Sequence, residues 1–496
     1  MPPKNLLEIN RRDFAKAAGL GTAGILLGNR FPSLARAAER PNVLLVIADQ
    51  WRMPRWFPEK AELPGFDRLR REGLTFTNSF VSAVPCSPSR ACLFTGLHLT
   101  QHGVQNNVNL NMSPSLDPRI PTLGHRFQEA GFRTPYFGKW HLTEPDEYRR
   151  AGLTAYGFEA WHGPDHDGTP LDGTQHDPRF ARQAIHWLRR HGHEQPWFLT
   201  CSMINPHDIC YYRRLVVPSL LVPHLADRLP DNFSDDLATK PRIQALYQKG
   251  YGRLMRSTPD QPERFWRRYL DYYYYFQRRV DEELNRLLAA LDRLKLADNT
   301  LVVFTSDHGE MAGSHRLQAK GPFVYQENNN VPLVFRWPGK IQPGTCDALT
   351  HNPDVYPTLL ALAGISAPGD YLPGRSLAPA ISQPGDAKIH DHVLMGFGMR
   401  GGGRFGRLIA RLGISTEGVP MQIRAIHDGR YKYARYFDPG VEEEYELYDL
   451  LKDPLELHNL AADPGAQTLR QEMADRLREA EAKEMAPLPK EVLRQG

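Results

Sequence analysis

Two short apolar runs in this chain each end on an acid. Pro41 to Ala48 (Pro-Asn-Val-Leu-Leu-Val-Ile-Ala) leads into Asp49-Gln50-Trp51-Arg52, and Asn299 to Ser306 (Asn-Thr-Leu-Val-Val-Phe-Thr-Ser) leads into Asp307-His308-Gly309-Glu310. A nearly continuous apolar run of this length is how a central strand of an α/β sheet reads when both its faces are buried. Ligands of open α/β sheets gather at the carboxyl ends of the strands, so Asp49 and Asp307 stand where metal ligands are expected. Either acid alone is more commonly a helix cap or a turn residue. Carboxylate oxygens suit a hard divalent cation, whereas the His308 imidazole is a borderline ligand better matched to manganese, zinc or iron.

A third stretch, Cys86-Ser87-Pro88-Ser89-Arg90, lies between these runs. A lone cysteine beside a turn proline is ordinarily a buried structural residue. Ser89 reads as the N-cap of a helix beginning at Arg90, which would set Cys86 beside a helix N-terminus, where backbone N–H groups and the positive dipole end favour an anion. Continued through Ala91-Cys92-Leu93-Phe94-Thr95-Gly96, the Cys-x-Pro-x-Arg pattern resembles the formylglycine motif of the type I sulfatases, in the alkaline phosphatase superfamily. Further segments of that family follow in order. They are Gly131-Phe132-Arg133-Thr134-Pro135-Tyr136-Phe137-Gly138-Lys139-Trp140-His141, then Pro206-His207 after the strand-like run Pro196 to Met203, then Ala319-Lys320-Gly321-Pro322. Glu327 and the run Val331 to Gly339 match family positions that look structural.

The resemblance covers nearly the whole mature chain and implies a sulfuric ester hydrolase. It implies that a maturation enzyme oxidises Cys86 to formylglycine, whose hydrate carries two hydroxyls on one carbon: one attacks sulfur, and the other, once deprotonated, expels sulfate. Arg90 would orient that diol, a planar fork bridging two oxygens where a lysine cannot. Lys139 would bind the sulfate oxygens, His141 would be the base for sulfate release, and His207 or Lys320 would protonate the leaving group. The cation would be held by Asp49, Asp307 and His308 beside Cys86, with Gln50 as a further ligand, and Asp307 would also help deprotonate the attacking hydroxyl. The family implies calcium. Gln50 and His308 depart from the commoner Asp and Asn, as in a branch that includes phosphonate monoester hydrolases, and keep manganese open. His102, Asn106 and His315 are weaker candidates for the pocket wall. The substrate is a small-molecule or carbohydrate sulfate ester. The rivals are a phosphonate or phosphate monoester hydrolase, against which the Lys139-Trp140-His141 block argues, and an inactive sugar-binding copy, against which the intact set of acids, lysines and histidines argues.

These residues must be positioned by a mostly α/β body. The expected fold is an alkaline-phosphatase-like central mixed sheet flanked by helices in 38–385, with a small C-terminal α+β part, antiparallel sheet plus helix, in 386–496. Asp354 to Gly364 reads as the helix closing the large domain. Ala425 to Tyr433 reads as a hairpin turning at Asp428-Gly429, Glu446 to Leu450 as a strand, and Leu469, Met473, Leu477 and Ala480 as one face of a final helix. Tyr272 to Tyr275 begins a helix running through Leu291, its tyrosines expected to pack rather than to bind sugar. Gly401-Gly402-Gly403, flanked by Arg400, Arg404 and Arg407, reads as a mobile surface loop rather than a basic rim.

Residues 1–37 resemble a twin-arginine signal peptide: Asn10-Arg11-Arg12-Asp13-Phe14-Ala15-Lys16, a mildly apolar run from Ala17 to Gly28, and an A-x-A site at Ala35-Arg36-Ala37. The expected partner is therefore the twin-arginine export machinery and the location periplasmic or secreted, with no membrane span. That route carries folded protein, so Cys86 can be oxidised before transport. A net charge of +4 over 496 residues is too small to point to nucleic acid. Cys201 and Cys210 are near enough in sequence to pair, but a disulfide framework is a device of small domains, and both are expected to stay reduced.

Overall fold

The computed structural model describes residues 40–494, apart from 54–57, 59, 109–112, 145–151, 162–164, 166–168, 215–216, 386 and 399–410. The twin-arginine segment and the Gly401-Gly402-Gly403 loop lie outside the described residues.

Strand β1 (Asn42–Asp49) has every residue buried. Its alternate side chains feed two cores: Val43, Leu45 and Ile47 point to one face of the sheet, and Leu44, Val46 and Ala48 to the other. Residues of this kind gain about 1.5–3 kcal/mol each on full burial, which is why the run holds the centre of the sheet. β1 lies between β5 (Phe198–Pro206) and β6 (Thr300–Ser306), parallel to both. The seven-stranded sheet continues outward to β4 (Tyr136–Gly138) on one side and through β7 (Leu333–Arg336), β2 (Leu74–Phe76) and β8 (Gly344–Cys346) on the other, in the order β4-β5-β1-β6-β7-β2-β8. β7 is antiparallel to both its neighbours, which makes the sheet mixed.

Helices cover both faces. On one, α1 (Pro64–Glu72), α3 (Asp172–His191) and α4 (Glu263–Arg293) pack Phe66, Trp187, Leu284 and Leu288 onto the sheet. On the other lie α2 (Cys86–Thr95) and α5 (Val355–Leu362). α4 begins at Glu263, nine residues before the tyrosine run, because Phe265, Trp266 and Tyr269 are buried as well. Tyr272, Tyr273 and Tyr274 are buried in an aromatic cluster with Ile209 and Phe276, so they are packing residues.

The C-terminal part is a four-stranded antiparallel sheet of β10 (Val393–Phe397), β11 (Gln422–His427), β12 (Tyr431–Asp438) and β13 (Val441–Asp449). The turn between β11 and β12 places Gly429 at φ 93°, a left-handed conformation that costs glycine little. Helix α6 (Gln467–Glu484) sets Met473, Leu477 and Ala480 against Leu394, Ile426, Tyr433 and Leu447 on one face of this sheet. The opposite face packs Met395, Ile423 and Ala425 against Phe80, Val81 and Val84, in the segment that leads to Cys86. β3 (Ser79–Phe80) in that segment pairs with β9 (Thr350–His351). Among the described residues no helix is long and apolar enough to cross a membrane.

Candidate active site

The carboxyl ends of β1 and β6 bring Asp49 and Asp307 together, both fully buried. Helix α2 starts at Cys86 itself, with Pro85 as N-cap. Ser89 is therefore not the N-cap: it lies inside the helix, where its hydroxyl donates to the Asp307 carbonyl. The outcome is closer than the sequence reading had it, since Cys86 is the first helical residue. Its Sγ stands 3.1 Å from His308 Nε2 and 3.9 Å from Asp49 Oδ1. Asp49, Cys86, Asp307 and His308 each offer a ligand atom, and these atoms all lie within 4.8 Å of one another.

Arg90, one turn along α2, is fully buried and spends its guanidinium on the acids. Nε donates to Asp307 Oδ2 at 2.8 Å and Nη2 to Asp49 Oδ2 at 3.2 Å, while Nη1 donates to the Lys139 carbonyl and to Ser202 Oγ, each at 2.9 Å. Arg90 thus clamps the two carboxylates beside Cys86. Gln50 differs from the sequence reading. Its backbone N–H donates to Asp307 Oδ1 at 3.1 Å, but its side chain turns away from the cluster to Glu310, Lys320 and Cys210.

Lys139 and His141 arrive just past β4. Gly138 has φ 109°, and a Cβ there would collide with the Ser202 carbonyl, the acceptor that receives the Lys139 N–H at 3.0 Å. Lys139 Nζ lies 2.7 Å from Asp49 Oδ2, an ion pair too oblique to count as a hydrogen bond. His141 is left-handed, φ 60°, and is buried with neither ring nitrogen hydrogen-bonded. Such a conformation in a non-glycine residue is strained and concentrates at functional sites. Asp165 holds it there, accepting the N–H groups of Trp140 at 2.9 Å and His141 at 2.5 Å. His207 follows β5 directly, buried, with its Nδ1 unpartnered. Lys320 Nζ donates to Gln50 Oε1 at 2.6 Å.

Burial opposes the charge on Asp49, but Lys139, His207, Arg90 and Lys320 outweigh it and hold the carboxyl well below its ordinary range. Burial likewise opposes the charge on Lys139, and Asp49 foremost overcomes it and raises that pKa. For His141, burial and then the charges of Lys139 and Arg90 push the ring well below the ordinary imidazole value; for His207, burial, Lys320 and Lys139 do the same. His308 goes the other way, raised by Asp307 and Cys86 against burial. Three cations, Arg90, Lys139 and Lys320, thus face two strand-end carboxylates and two neutral imidazoles around one thiol, an arrangement that accepts an anion and moves protons.

The weaker candidates are structural. His102 accepts the Val104 N–H at Nδ1 and meets Cys92 Sγ at 3.4 Å; Asn106 donates to the Gly398 carbonyl. His315 stacks on Tyr325 at 3.8 Å and bonds Asp235. Glu327 accepts from Asn232, and all five cysteines are free. Residues that carry no motif also support the site. Tyr273 donates to the Gln50 carbonyl at 2.8 Å and accepts from the Arg52 N–H, and Asn352 donates to Ser89 O and Oγ.

Residues 41–365 match the Sulfatase family. The chain belongs to it. Residues 415–483 match a second family, N-sulphoglucosamine sulphohydrolase, C-terminal. Among curated proteins, this sulfatase is 30% identical over 442 residues to a Delta 4,5-hexuronate-2-O-sulfatase of Bacteroides thetaiotaomicron, covering 87% of this chain and 86% of the relative. Among solved structures it is similar to BT1596, a 2-O GAG sulfatase, with 26% identity, TM-score 0.73 and coverage of 90% and 93% of the two chains. It is also similar to the phosphonate monoester hydrolase of Agrobacterium radiobacter, with 26% identity, TM-score 0.65 and coverage of 90% and 96%.

Proposed function

We propose that this sulfatase is an exported hydrolase of carbohydrate sulfate monoesters that uses a formylglycine made from Cys86 and a divalent cation. The observation that carries the reading is the seat of Cys86: the first residue of a buried helix, within reach of two strand-end carboxylates and the His308 imidazole. The Cys86 sulfur stands where the hydrated aldehyde's oxygens would be. The donor set fits a cation, since two carboxylates and one imidazole converge on a point that also touches residue 86. Asp49, Asp307 and His308 would hold calcium or manganese, which supplies positive charge to the oxygens of the sulfate and of residue 86.

The chain's own residues do the rest. Arg90 fixes the spacing of Asp49 and Asp307. Lys139 and Lys320 neutralise the bound anion. His141, neutral and unpartnered, accepts the proton whose loss from the second hydroxyl releases sulfate. His207 or Lys320 hands a proton to the departing alcohol. Asp307, one oxygen of which faces His308 at 3.7 Å, helps take the proton of the attacking hydroxyl. Gln50 acts through Lys320 and Glu310 rather than as a ligand. The carbohydrate substrate is supported by the hexuronate sulfatase among the relatives. Export rests on Arg11-Arg12 and Ala35-Arg36-Ala37, with 38–385 as the catalytic domain and 386–496 as its C-terminal companion. The formylglycine-generating enzyme and the twin-arginine machinery are the partners this requires.

The test is kcat/KM for matched aryl sulfate and aryl phosphonate esters on one co-matured preparation, followed by a panel of sulfated sugars. Sulfate is expected to win. A phosphonate preference above about tenfold, roughly 1.4 kcal/mol of transition-state discrimination, would transfer the assignment to phosphonate monoester hydrolysis. Replacing Arg11 and Arg12 by lysine should leave unprocessed protein in the cytoplasm, and continued export would refute the twin-arginine reading.

A further inference from the structure

Behind helix α2, away from the strand-end acids, a second set of metal-ligand side chains meets. We infer that His351, Asp354 and His390 form a structural site for a divalent metal of the zinc class. Each offers a ligand atom, all three atoms lie within 4.8 Å of one another, and all three residues are buried. His390 Nε2 lies 2.8 Å and His351 Nε2 3.1 Å from the same oxygen, Asp354 Oδ1. Donors around a tetrahedral zinc sit about 3.3 Å apart, given zinc–nitrogen bonds of about 2.0–2.1 Å, so the two histidine–carboxylate distances need to open by only a few tenths of an ångström.

His390 Nε2 contacts both oxygens of Asp354, at 2.8 and 3.0 Å, and a metal would take the place of the shared hydrogen. His351 Nδ1 meets Ser82 Oγ at 2.9 Å, the outer contact that fixes a metal-bound imidazole, while its Nε2 faces Asp354 Oδ1 at 3.1 Å. Asp354 is itself oriented by the backbone N–H groups of His351 at 2.9 Å and Arg375 at 2.7 Å. Next to His351, ring centroids 5.5 Å apart, stands His98, fully buried, its Nε2 facing Glu484 Oε2 at 3.7 Å. Two imidazoles and one carboxylate are a borderline donor set that selects zinc-like ions over calcium. A metal here would fasten β9 to the His390 segment that enters β10. Through Ser82, and through Asn352, which bonds both the Ser82 N–H and Ser89, it would support the floor under α2.

The probe is Zn²⁺. Full-length enzyme is stripped with chelator, reloaded with calcium to occupy the strand-end site, soaked with zinc as crystals, and measured on both sides of the zinc absorption edge. Thermal melting is followed in parallel against zinc concentration. The expected result is an anomalous peak about 2.0–2.2 Å from His351 Nε2, His390 Nε2 and Asp354, with a Tm that rises with zinc. His390→Gln should remove the peak and the zinc-dependent rise, whereas Asp307→Asn should leave both. If no peak stands between these three residues in the unmutated enzyme, the inference fails, whatever the folding of the variants.

Discussion

Around Glu446 and Glu456, near the C-terminal sheet, and around Asp49 and Asp307, at the edge of the main sheet, the protein buries carboxylates beside lysines. In the first cluster every group is answered. Lys432 Nζ donates to Glu456 Oε1 at 2.7 Å and to the Val324 carbonyl at 2.8 Å, and Glu456 Oε2 accepts the Gln326 N–H at 2.8 Å. Glu446 accepts the hydroxyls of Tyr448 at 2.6 Å and Tyr436 at 2.5 Å, and Gln244 is satisfied by Tyr325 and Glu446. In the second cluster Lys139 Nζ is ion-paired with Asp49 at 2.7 Å, but both nitrogens of His141 and Nδ1 of His207 are buried without a hydrogen bond. A buried polar group left unpaired costs about 1–3 kcal/mol, so three such nitrogens together are a place that a ligand can complete. The same residue types are therefore closed off in one place and left open in the other, and the difference is whether the protein itself finishes the hydrogen bonds.

That contrast orders the expected effects of mutation on turnover. Cys86→Ala should lose it by about 10⁵-fold or more with circular dichroism unchanged. In the active enzyme the Cys86 peptide should weigh about 18 Da less than its thiol form, whereas ordinary oxidation adds mass. Full activity with an intact thiol would remove the nucleophile assignment. Asp307→Asn should cost about 10³-fold in kcat, and exhaustive chelation should abolish turnover until calcium or manganese is restored. Metal-free enzyme that keeps its rate would contradict the cation site.

His141→Ala should cost about 10²–10³-fold in kcat, with a sulfated residue 86 accumulating for mass spectrometry to trap. Burial and the Lys139 charge hold the His141 ring well below the ordinary imidazole range, so its basic form persists as pH falls through that range. The acid limb of kcat should therefore lie below the ordinary imidazole range, and a limb centred at 6.5 or higher would show that His141 is not the base. At the other end of the scale, Lys432→Met should leave kcat unchanged and cost about 3–5 kcal/mol of stability in urea, because Glu456 then stays buried and unpaired. The double variant Lys432→Met with Glu456→Leu should recover most of that loss. A large kcat effect from Lys432→Met would break the distinction between the two clusters.

Much of the site was legible because its signals are local. A buried parallel strand shows as an unbroken apolar run, so Asp49 and Asp307 could be placed at strand ends before any coordinates. The Cys86 to Arg90 and Gly131 to His141 segments are contiguous, and the family resemblance reads them directly. The contacts of Arg90, Gln50 and Ser89 were not legible, for the opposite reason. Each is decided by a partner far along the chain: Arg90 by Asp307, 217 residues away, Gln50 by Lys320, 270 away, and Asn352 on Ser89, 263 away. Asp165, which holds the strained His141 segment, sits in no pattern at all.

The sequence by itself determined the mixed α/β body, the C-terminal sheet and the identity of the groups that can attack, ligate and transfer protons, because burial period and motif spacing are properties of neighbouring residues. Only the tertiary structure decided which of those groups are left without partners. Whether a buried nitrogen is satisfied depends on side chains delivered by other strands and helices. The open His141 and His207 rings at one sheet edge, and the answered Glu446 and Glu456 near the other sheet, are products of packing that no local stretch of chain encodes.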